Sequence, residues 1–226
     1  MAKPFDYFVI FAEMRTGSNL LEGNLAQFDG LKLYGEAFNG NFIGRPAWRE
    51  IHGMSQAERD ADPHGLLDMM CSASEGLPGF RYFHDHDVRI LDRMLEDPRC
   101  GKIVLIRNPL DSYVSVKLAA QTDQWILTDM KNARSGKARF DLAEFERHLD
   151  ATQRFQLRIQ RACQIGGQAP FYIHYDDVND LEVLNGAARY LGQTQRIDAL
   201  QKKLKPQNPV APVSYTHLTL PTNREV

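Results

Sequence analysis

A cation and a hydroxyl group follow a short apolar segment near the middle of the chain. Residues 103–106 are apolar, mostly β-branched and bounded by polar residues, which is typical of a strand buried on both faces of a parallel sheet. Pro109 suits the first turn of a helix, because its missing N–H would have no partner there. Arg107 would then lie at the carboxyl end of a central strand, where open α/β sheets bind ligands. The Arg107 guanidinium and the Ser115 hydroxyl could hold a phosphate group there.

A second strand–loop–helix unit lies near the start of the sequence. Residues 7–12 form an apolar strand pattern, residues 13–19 a turn, and leucines from residue 20 onward line one face of a helix. Unpaired N–H groups at the start of such a helix attract anions. The residues that could form this anion cradle are Arg15, Thr16, Gly17, Ser18 and Asn19. Walker-A nucleotide loops do the same with GxxxxGK[ST], whereas this loop is shorter and no lysine precedes its hydroxyl residues.

Two anion sites at strand ends suit a ligand with two separated anions, and the motifs around them resemble those of the sulfotransferase family. The segment FAEMRTGSNLL is similar to the family's 5'-phosphosulfate loop, and IRNPLDSYVS is similar to its 3'-phosphate motif. The bacterial carbohydrate members, of the nodulation-factor and trehalose types, have segments similar to LYGEAF, GFRYF, LAAQTDQW, IHYDDV and KLKPQNP. These motifs run in a consistent order over residues 5–209, and their combination is more specific than any one of them.

The resemblance implies a fold, a donor and roles for several residues. It implies one α/β domain with a mostly parallel central sheet flanked by helices, P-loop-like phosphate handling, and 3'-phosphoadenosine 5'-phosphosulfate (PAPS) as the donor. The first loop would hold the 5'-phosphosulfate, Arg107 and Ser115 would bind the 3'-phosphate, and Glu36 would take the proton of the acceptor hydroxyl. Arg15 would stand in for a lysine that the family usually has in this loop, and Lys205 would lie near the donor. The acceptor would be a carbohydrate or a glycolipid.

The run His84-Asp85-His86-Asp87 offers imidazoles and carboxylates, which are common metal ligands. If this run continued a strand, its two histidines would share one face. Because no third ligand cluster is evident in the sequence and the related chemistry uses no metal, we expect no metal site. We assign His86 to acceptor binding, with a reserve role as the base, and Trp125 to stacking on an acceptor ring. A core or rim position for Trp125 is the open alternative.

Composition restricts the partners more than it identifies the function. The chain has 226 residues with 27 basic and 29 acidic side chains, a net charge of −2, which argues against a broad nucleic-acid surface. No apolar run approaches the ~20 residues of a membrane span, and the first residues lack the apolar core of a signal peptide. Three widely spaced cysteines are typical of reduced thiols. We therefore expect a cytoplasmic protein with one domain, whose oligomeric state, a homodimer included, stays open.

The sequence predicts an alternation of strands and helices after the first unit. Strands are predicted at residues 31–34, 80–83 and 171–174, and helices at residues 63–74, 88–96, 109–121, 141–165 and 181–191. Composition predicts loop and short helix over residues 40–62, a turn over residues 75–79, and an acceptor-side lid or mobile loop over residues 122–139. Residues 213–226 resemble translated adapter sequence. We therefore expect a truncated domain over residues 1–212 followed by a non-native tail, with an ordinary flexible tail as the alternative.

Two other functions fit parts of the pattern. A P-loop kinase-like phosphotransferase would keep the first loop, but it needs a magnesium-binding carboxylate and the lysine of GK[ST], and neither stands out in the sequence. A catalytically inactive nucleotide-binding protein would keep both anion sites without turnover. Sulfuryl transfer from PAPS to a hydroxyl is the function that the sequence favours.

Overall fold

The chain folds around a central sheet of parallel strands with helices on both sides. This computed structural model describes residues 4–122 and 138–200. Numbered along the chain, the strands are β1 (Tyr7–Phe11), β2 (Leu31–Leu33), β3 (Glu50–Ile51), β4 (Met54–Ser55), β5 (Leu77–Tyr82), β6 (Cys100–Ile106) and β7 (Phe171–His174). The helices are α1 (Ser18–Leu25), α2 (Gln56–Ala61), α3 (Pro63–Ala73), α4 (Leu91–Glu96), α5 (Pro109–Thr122), α6 (Leu142–Ile165) and α7 (Leu181–Tyr190), with single 3-10 turns at Val88–Ile90 and Tyr175–Asp177.

The strands of the central sheet lie in the order β2-β5-β1-β6-β7, and every neighbouring pair is parallel. This confirms the α/β fold that the sequence predicts. Because the strands all run the same way, their carboxyl ends meet at one edge of the sheet, where ligands of such sheets bind. The segments that leave this edge begin after residues 11, 33, 82, 106 and 174. They contain most of the residues that the sequence singles out for chemistry.

Strand β1 is buried on both faces, and its side chains alternate between two hydrophobic cores. Tyr7, Val9 and Phe11 face the core that α3, α4 and α6 cover, whereas Phe8 and Ile10 face the core that α1 and α7 cover. A strand with helices on both sides needs apolar residues at every position, and this explains the unbroken apolar run in the sequence.

The turn predicted at residues 75–79 is wrong, because residues 77–79 belong to β5. Proline and glycine in this segment indicate a turn by composition, but β5 lies between β2 and β1 and pairs with both. The ring of Phe8 on β1 occupies the space where a side chain at Gly79 would lie. Tertiary packing therefore overrides the local preference of this segment.

A small hairpin was also missing from the prediction for residues 40–62. Strands β3 and β4 pair antiparallel before the short helix α2. Their turn contains His52 with φ of +50° and Gly53 with φ of +82°. A two-residue turn of this kind is usually formed by pairs such as Asn-Gly or Asp-Gly. His-Gly is a weaker signal, so the sequence did not predict this hairpin.

The long helix α6 begins and ends where the sequence predicts. The Asp141 side chain accepts a hydrogen bond from the Glu144 N–H at 2.9 Å, which caps the first turn. The helix ends before Gly166 and Gly167. Within residues 4–122 and 138–200, no helix is both long and apolar enough to cross a membrane.

Gly79→Ala should destabilise the protein by ~1–3 kcal/mol, because overpacking a filled core is costly. A Cβ at residue 79 would lie 2.1 Å from the Phe8 ring, which β1 holds inside the sheet layer. Gly23→Ala on α1 is the matched control, since a Cβ there meets no atom within 4 Å; it should be neutral or add up to about 1 kcal/mol. Urea unfolding measures both variants, and equal stabilities would contradict the tight packing at Gly79.

Candidate active site

Polar groups of the loop after β1 hold that loop in a fixed shape. The Thr16 hydroxyl donates to the Glu13 carbonyl oxygen at 2.6 Å, and the Thr16 N–H donates to the same oxygen at 3.2 Å. Gly17 has φ of +88°, and a Cβ there would lie 2.8 Å from the Tyr175 ring, so the position requires glycine. Arg15 also has a positive φ, +64°, which is strained for a residue with a side chain. Such strain persists only where the surrounding structure enforces it.

The first turn of α1 lies directly after the loop that follows β1, at the carboxyl edge of the sheet. Within the described residues, the N–H groups of Gly17, Ser18 and Asn19 have no hydrogen-bond acceptor, while the Gly17 carbonyl accepts from the next turn of the helix. The helix dipole adds partial positive charge at this end. Proteins commonly bind anions at such helix N-termini, and the anion cradle at these residues stays a prediction.

The two arginines predicted to bind anions lie side by side and join the ends of β1 and β6. Arg107 Nη1 donates to the carbonyl oxygen of Arg15 at 2.5 Å. Arg15 Nε donates to the Ser115 hydroxyl on α5 at 2.9 Å. The Arg107 guanidinium also stacks on Tyr175, with its central carbon 3.9 Å from the ring centroid. The first loop, α5 and the end of β7 therefore meet around one pair of cations.

Both cations of this pair are at least partly shielded from water. Arg107 is 8% exposed and Arg15 is half-buried. Burial lowers the pKa of both guanidinium groups, and the charge of Arg107 lowers the pKa of Arg15 further. An anion between the two guanidinium groups would favour the charged form of each. The arrangement thus suits a multiply charged group such as a phosphate.

Glu36 lies in the turn after β2, and three side chains fix its carboxylate. Arg81 Nη1 lies 3.0 Å from one carboxylate oxygen, and Asn39 Nδ2 donates to the other at 2.7 Å. His86 Nε2 lies 3.5 Å from that second oxygen. Burial raises the pKa of Glu36, but the nearby His86 imidazole, the charge of Arg81 and the hydrogen bond from Asn39 outweigh it, and the pKa is lowered. Glu36 is therefore ionised at neutral pH and can accept a proton.

Arg81, which the sequence analysis missed, connects Glu36 to the first loop. Its Nε lies 2.8 Å from Glu22 on α1, and its Nη1 donates to the Ser18 hydroxyl at 3.4 Å. Arg81 is 4% exposed and Glu22 is 2% exposed. The signal was present in the sequence, because an arginine inside an apolar strand needs a buried partner of opposite charge.

His84 and His86 contact different partners, and neither lies in a strand, so the shared face that a continued strand would give them does not arise. Strand β5 ends at Tyr82, and His84 lies in the turn that follows it. His86 lies beside Glu36, whereas His84 Nδ1 lies 2.6 Å from Oε2 of Glu13, a residue that the sequence analysis did not single out. In the part of the chain that the structure describes, no three histidine, cysteine or carboxylate side chains form a group that could hold a metal ion.

Two of the predicted contacts lie outside the described residues, Lys205 for the donor and Trp125 for the acceptor ring. The proposed lid and the C-terminal tail lie there as well. The other predicted residues gather at the carboxyl edge of the sheet: Arg15, Thr16, Gly17, Ser18, Asn19, Glu36, His86, Arg107 and Ser115. Thr16 uses its hydroxyl within the loop itself, and Asn19 is exposed at the start of α1.

Solved structures with a similar fold include sulfotransferases. A sulfotransferase from Alicyclobacillus acidocaldarius superposes with a TM-score of 0.54 at 16% identity, over 91% of this chain and 88% of that one. This similarity establishes a shared fold. Mouse sulfotransferase SULT7A1, solved in complex with PAP, gives a TM-score of 0.42 at 10% identity over 85% of this chain and 61% of that one, which is too low to establish a shared fold. No known family model matches the sequence, and no curated protein matches it.

The contact between Glu13 and His84 should make stability depend on pH in the neutral range. The hydrogen bond that His84 donates to the Glu13 carboxylate raises the pKa of His84. A raised folded-state pKa stabilises the protein fully below the unfolded-state pKa of ~6.5, and this stabilisation is lost as pH rises through the folded-state value. The stability difference between the parent and His84→Gln should therefore shrink as pH rises above ~6.5 and through the raised pKa of His84.

Urea unfolding at a series of pH values measures this difference. The matched control repeats the comparison in a Glu13→Gln background, where the partner charge is gone and the difference should no longer vary with pH. If the pH dependence is the same in both backgrounds, Glu13 does not control the protonation of His84.

Proposed function

We propose that this protein transfers a sulfuryl group from PAPS to a hydroxyl group, and that the hydroxyl belongs to a carbohydrate or a glycolipid. One observation supports this above the others: the contact between Arg107 and Arg15 joins the two segments, after β1 and after β6, that would hold the two anions. A donor with a 5'-phosphosulfate and a 3'-phosphate needs two such sites side by side. The fold shared with a bacterial sulfotransferase agrees with the proposal.

We assign the two ends of the donor to different parts of the joined site. The 3'-phosphate would lie at Arg107, Arg15 and Ser115, because the Arg15 side chain contacts Ser115, Arg107 contacts the backbone of Arg15, and both guanidinium groups can supply charge-assisted hydrogen bonds. The 5'-phosphosulfate would lie at the N–H groups of Gly17 and Ser18, at the positive end of α1. The 3'-phosphate contacts would select PAPS over ATP.

Arg81 is our choice for the cation beside the transferred group. The sequence suggested Arg15 for this role, but the Arg15 guanidinium is directed to Ser115, at the other end of the site. Arg81 contacts both Ser18 in the first loop and Glu36. It therefore lies between the proposed donor site and the proposed base, where negative charge grows during transfer.

Glu36 would act as the base in this reaction. Ionised at neutral pH, it would take the proton of the acceptor hydroxyl as that oxygen attacks sulfur, while the bond from sulfur to the bridging oxygen breaks. The N–H groups of the first loop would stabilise the charge that forms on the leaving nucleotide. Catalysis would thus consist of positioning and electrostatics, as in phosphoryl transfer. A cytoplasmic location and a homodimer remain predictions from the sequence.

Arg107→Ala should weaken the binding of adenosine 3',5'-bisphosphate by about ten- to a hundredfold and leave AMP binding almost unchanged. A charge-assisted contact of this kind is worth ~1.5–3 kcal/mol. AMP has no 3'-phosphate, so it does not make this contact and its affinity should not change. Isothermal titration calorimetry measures both affinities. Arg154→Ala, on the exposed side of α6, is the control and should bind both nucleotides like the parent. Equal losses for the two nucleotides would refute the assignment of the 3'-phosphate to Arg107.

Glu36→Gln should reduce the rate of sulfuryl transfer by ~10²–10⁴-fold, the usual contribution of a general base. Glutamine keeps the size of the side chain but cannot take a proton. The affinity for adenosine 3',5'-bisphosphate should stay unchanged, because Glu36 lies on the acceptor side of Arg81. Transfer of radiolabelled sulfate from PAPS to an acceptor panel measures the rate, with the exposed Glu50→Gln as control.

A Glu36→Gln variant with a near-parental rate would make His86, which lies beside Glu36, the next candidate for the base. Bisphosphate binding without sulfuryl transfer to any acceptor would favour a catalytically inactive nucleotide-binding protein.

A further inference from the structure

Glu13 is a buried carboxylate that uses only one of its two oxygens. It follows β1 and is 5% exposed. Its Oε2 contacts His84 at 2.6 Å, whereas its Oε1 is buried and has no hydrogen-bond partner among the described residues. Leaving a buried carboxylate oxygen unpaired is costly. The backbone of Glu13 is also fixed, because its carbonyl oxygen accepts both hydrogen bonds from Thr16. The carboxylate is thus preorganised for a donor that the described residues do not supply.

A small cleft lies beside this carboxylate, between the ends of β1 and β6 and the helix α6. Apart from Glu13, its walls are mainly apolar, and the only other polar side chain among its described lining residues is Gln156. Gln156 is half-buried, and its amide makes no hydrogen bond to another described residue. Phe155 and Ile159, from the same face of α6, are buried in the wall. The cleft therefore combines a hydrogen-bond acceptor with an amide that can also donate.

We propose that Glu13 and Gln156 form a subsite for one hydroxyl group of the acceptor, a hydroxyl other than the one that receives the sulfuryl group. A hydroxyl can donate to Glu13 Oε1 and accept from the Gln156 amide at the same time. An ammonium group can only donate, and an apolar group would leave both unpaired. This inference rests on the proposed function, because it takes sulfuryl transfer to an alcohol as the reaction.

The chain places this subsite next to the proposed reaction centre. Glu13 precedes Arg15 by two residues, and its partner His84 precedes His86 by two residues. Two residues span at most about 7 Å of backbone, so both segments lead directly from the subsite to the donor loop and to the histidine beside Glu36. A polyhydroxylated acceptor could then present one hydroxyl to Glu36 and another to Glu13. The subsite would contribute to specificity, since burying its polar groups without a hydroxyl partner is unfavourable.

Glycerol is a suitable probe because it is small and carries hydroxyl groups on every carbon. Crystals of the full chain with adenosine 3',5'-bisphosphate, soaked in glycerol, should show a hydroxyl oxygen at hydrogen-bond distance, ~2.5–3.2 Å, from both Glu13 Oε1 and the Gln156 amide. Gln156→Leu and Glu13→Leu should each lose the bound hydroxyl. Gln153→Leu, an exposed glutamine on the same helix, is the matched control and should retain it.

A solution measurement accompanies the crystals. Saturation-transfer NMR should detect glycerol contact with the parent and with Gln153→Leu, and about tenfold weaker binding to Gln156→Leu, as expected for one lost hydrogen bond to the ligand. A cleft that holds only water or a cation in soaked crystals would overturn the proposal, as would equal glycerol binding to all variants. Density for the bisphosphate at Arg107 reports separately on the proposed donor site, so failure of one assignment does not hide the outcome of the other.

Discussion

A single buried arginine connects the hydrophobic core to the residues of the proposed active site at the edge of the sheet. Arg81 extends from the central strand β5 and holds Glu22 of α1 on one side and Glu36 on the other. Removing one partner of a buried ion pair typically costs ~3–5 kcal/mol, because the remaining charge loses its compensation. Without Arg81, Glu22 would keep Arg45 as a cationic partner and Glu36 would keep Asn39 and His86. The position of Glu36 is thus set by the same interaction that fixes α1 against the sheet.

The segment after β2 depends on a second buried arginine, whose side chain binds backbone carbonyl oxygens of that segment. Arg59 of α2 is fully buried and donates to the carbonyl oxygens of Ala37, Asn39 and Phe42. Asn39 in turn donates to the Glu36 carboxylate. A segment without regular secondary structure must satisfy its backbone groups in some other way, and the short helix α2 supplies the donor. This explains how a loop can hold the proposed base in one orientation.

The sequence predicted the secondary structure correctly where the local residue pattern and the tertiary packing favour the same element. The two strand–loop–helix units around Arg15 and Arg107 could be predicted, because buried parallel strands are apolar throughout and their ends carry the ligand site. The extent of β5 could not be predicted. Glycine at residue 79 indicates a turn, and only the structure shows that the Phe8 ring occupies the space where a side chain at residue 79 would lie. The sequence analysis did not identify Glu13 for a related reason. The cleft that it lines is formed by residues that lie far apart in the sequence.

Tyr175, just after β7, touches both halves of the proposed donor site. Its ring packs against Gly17 and lies under the Arg107 guanidinium. Groups that share a partner in this way are energetically coupled, with interaction energies of ~0.5–3 kcal/mol in double-mutant cycles. Free energies measured for the first loop and for Arg107 will therefore not sum to the affinity of the whole ligand. In evolutionary terms, the two halves would be constrained to change together, with the aromatic ring as their common boundary.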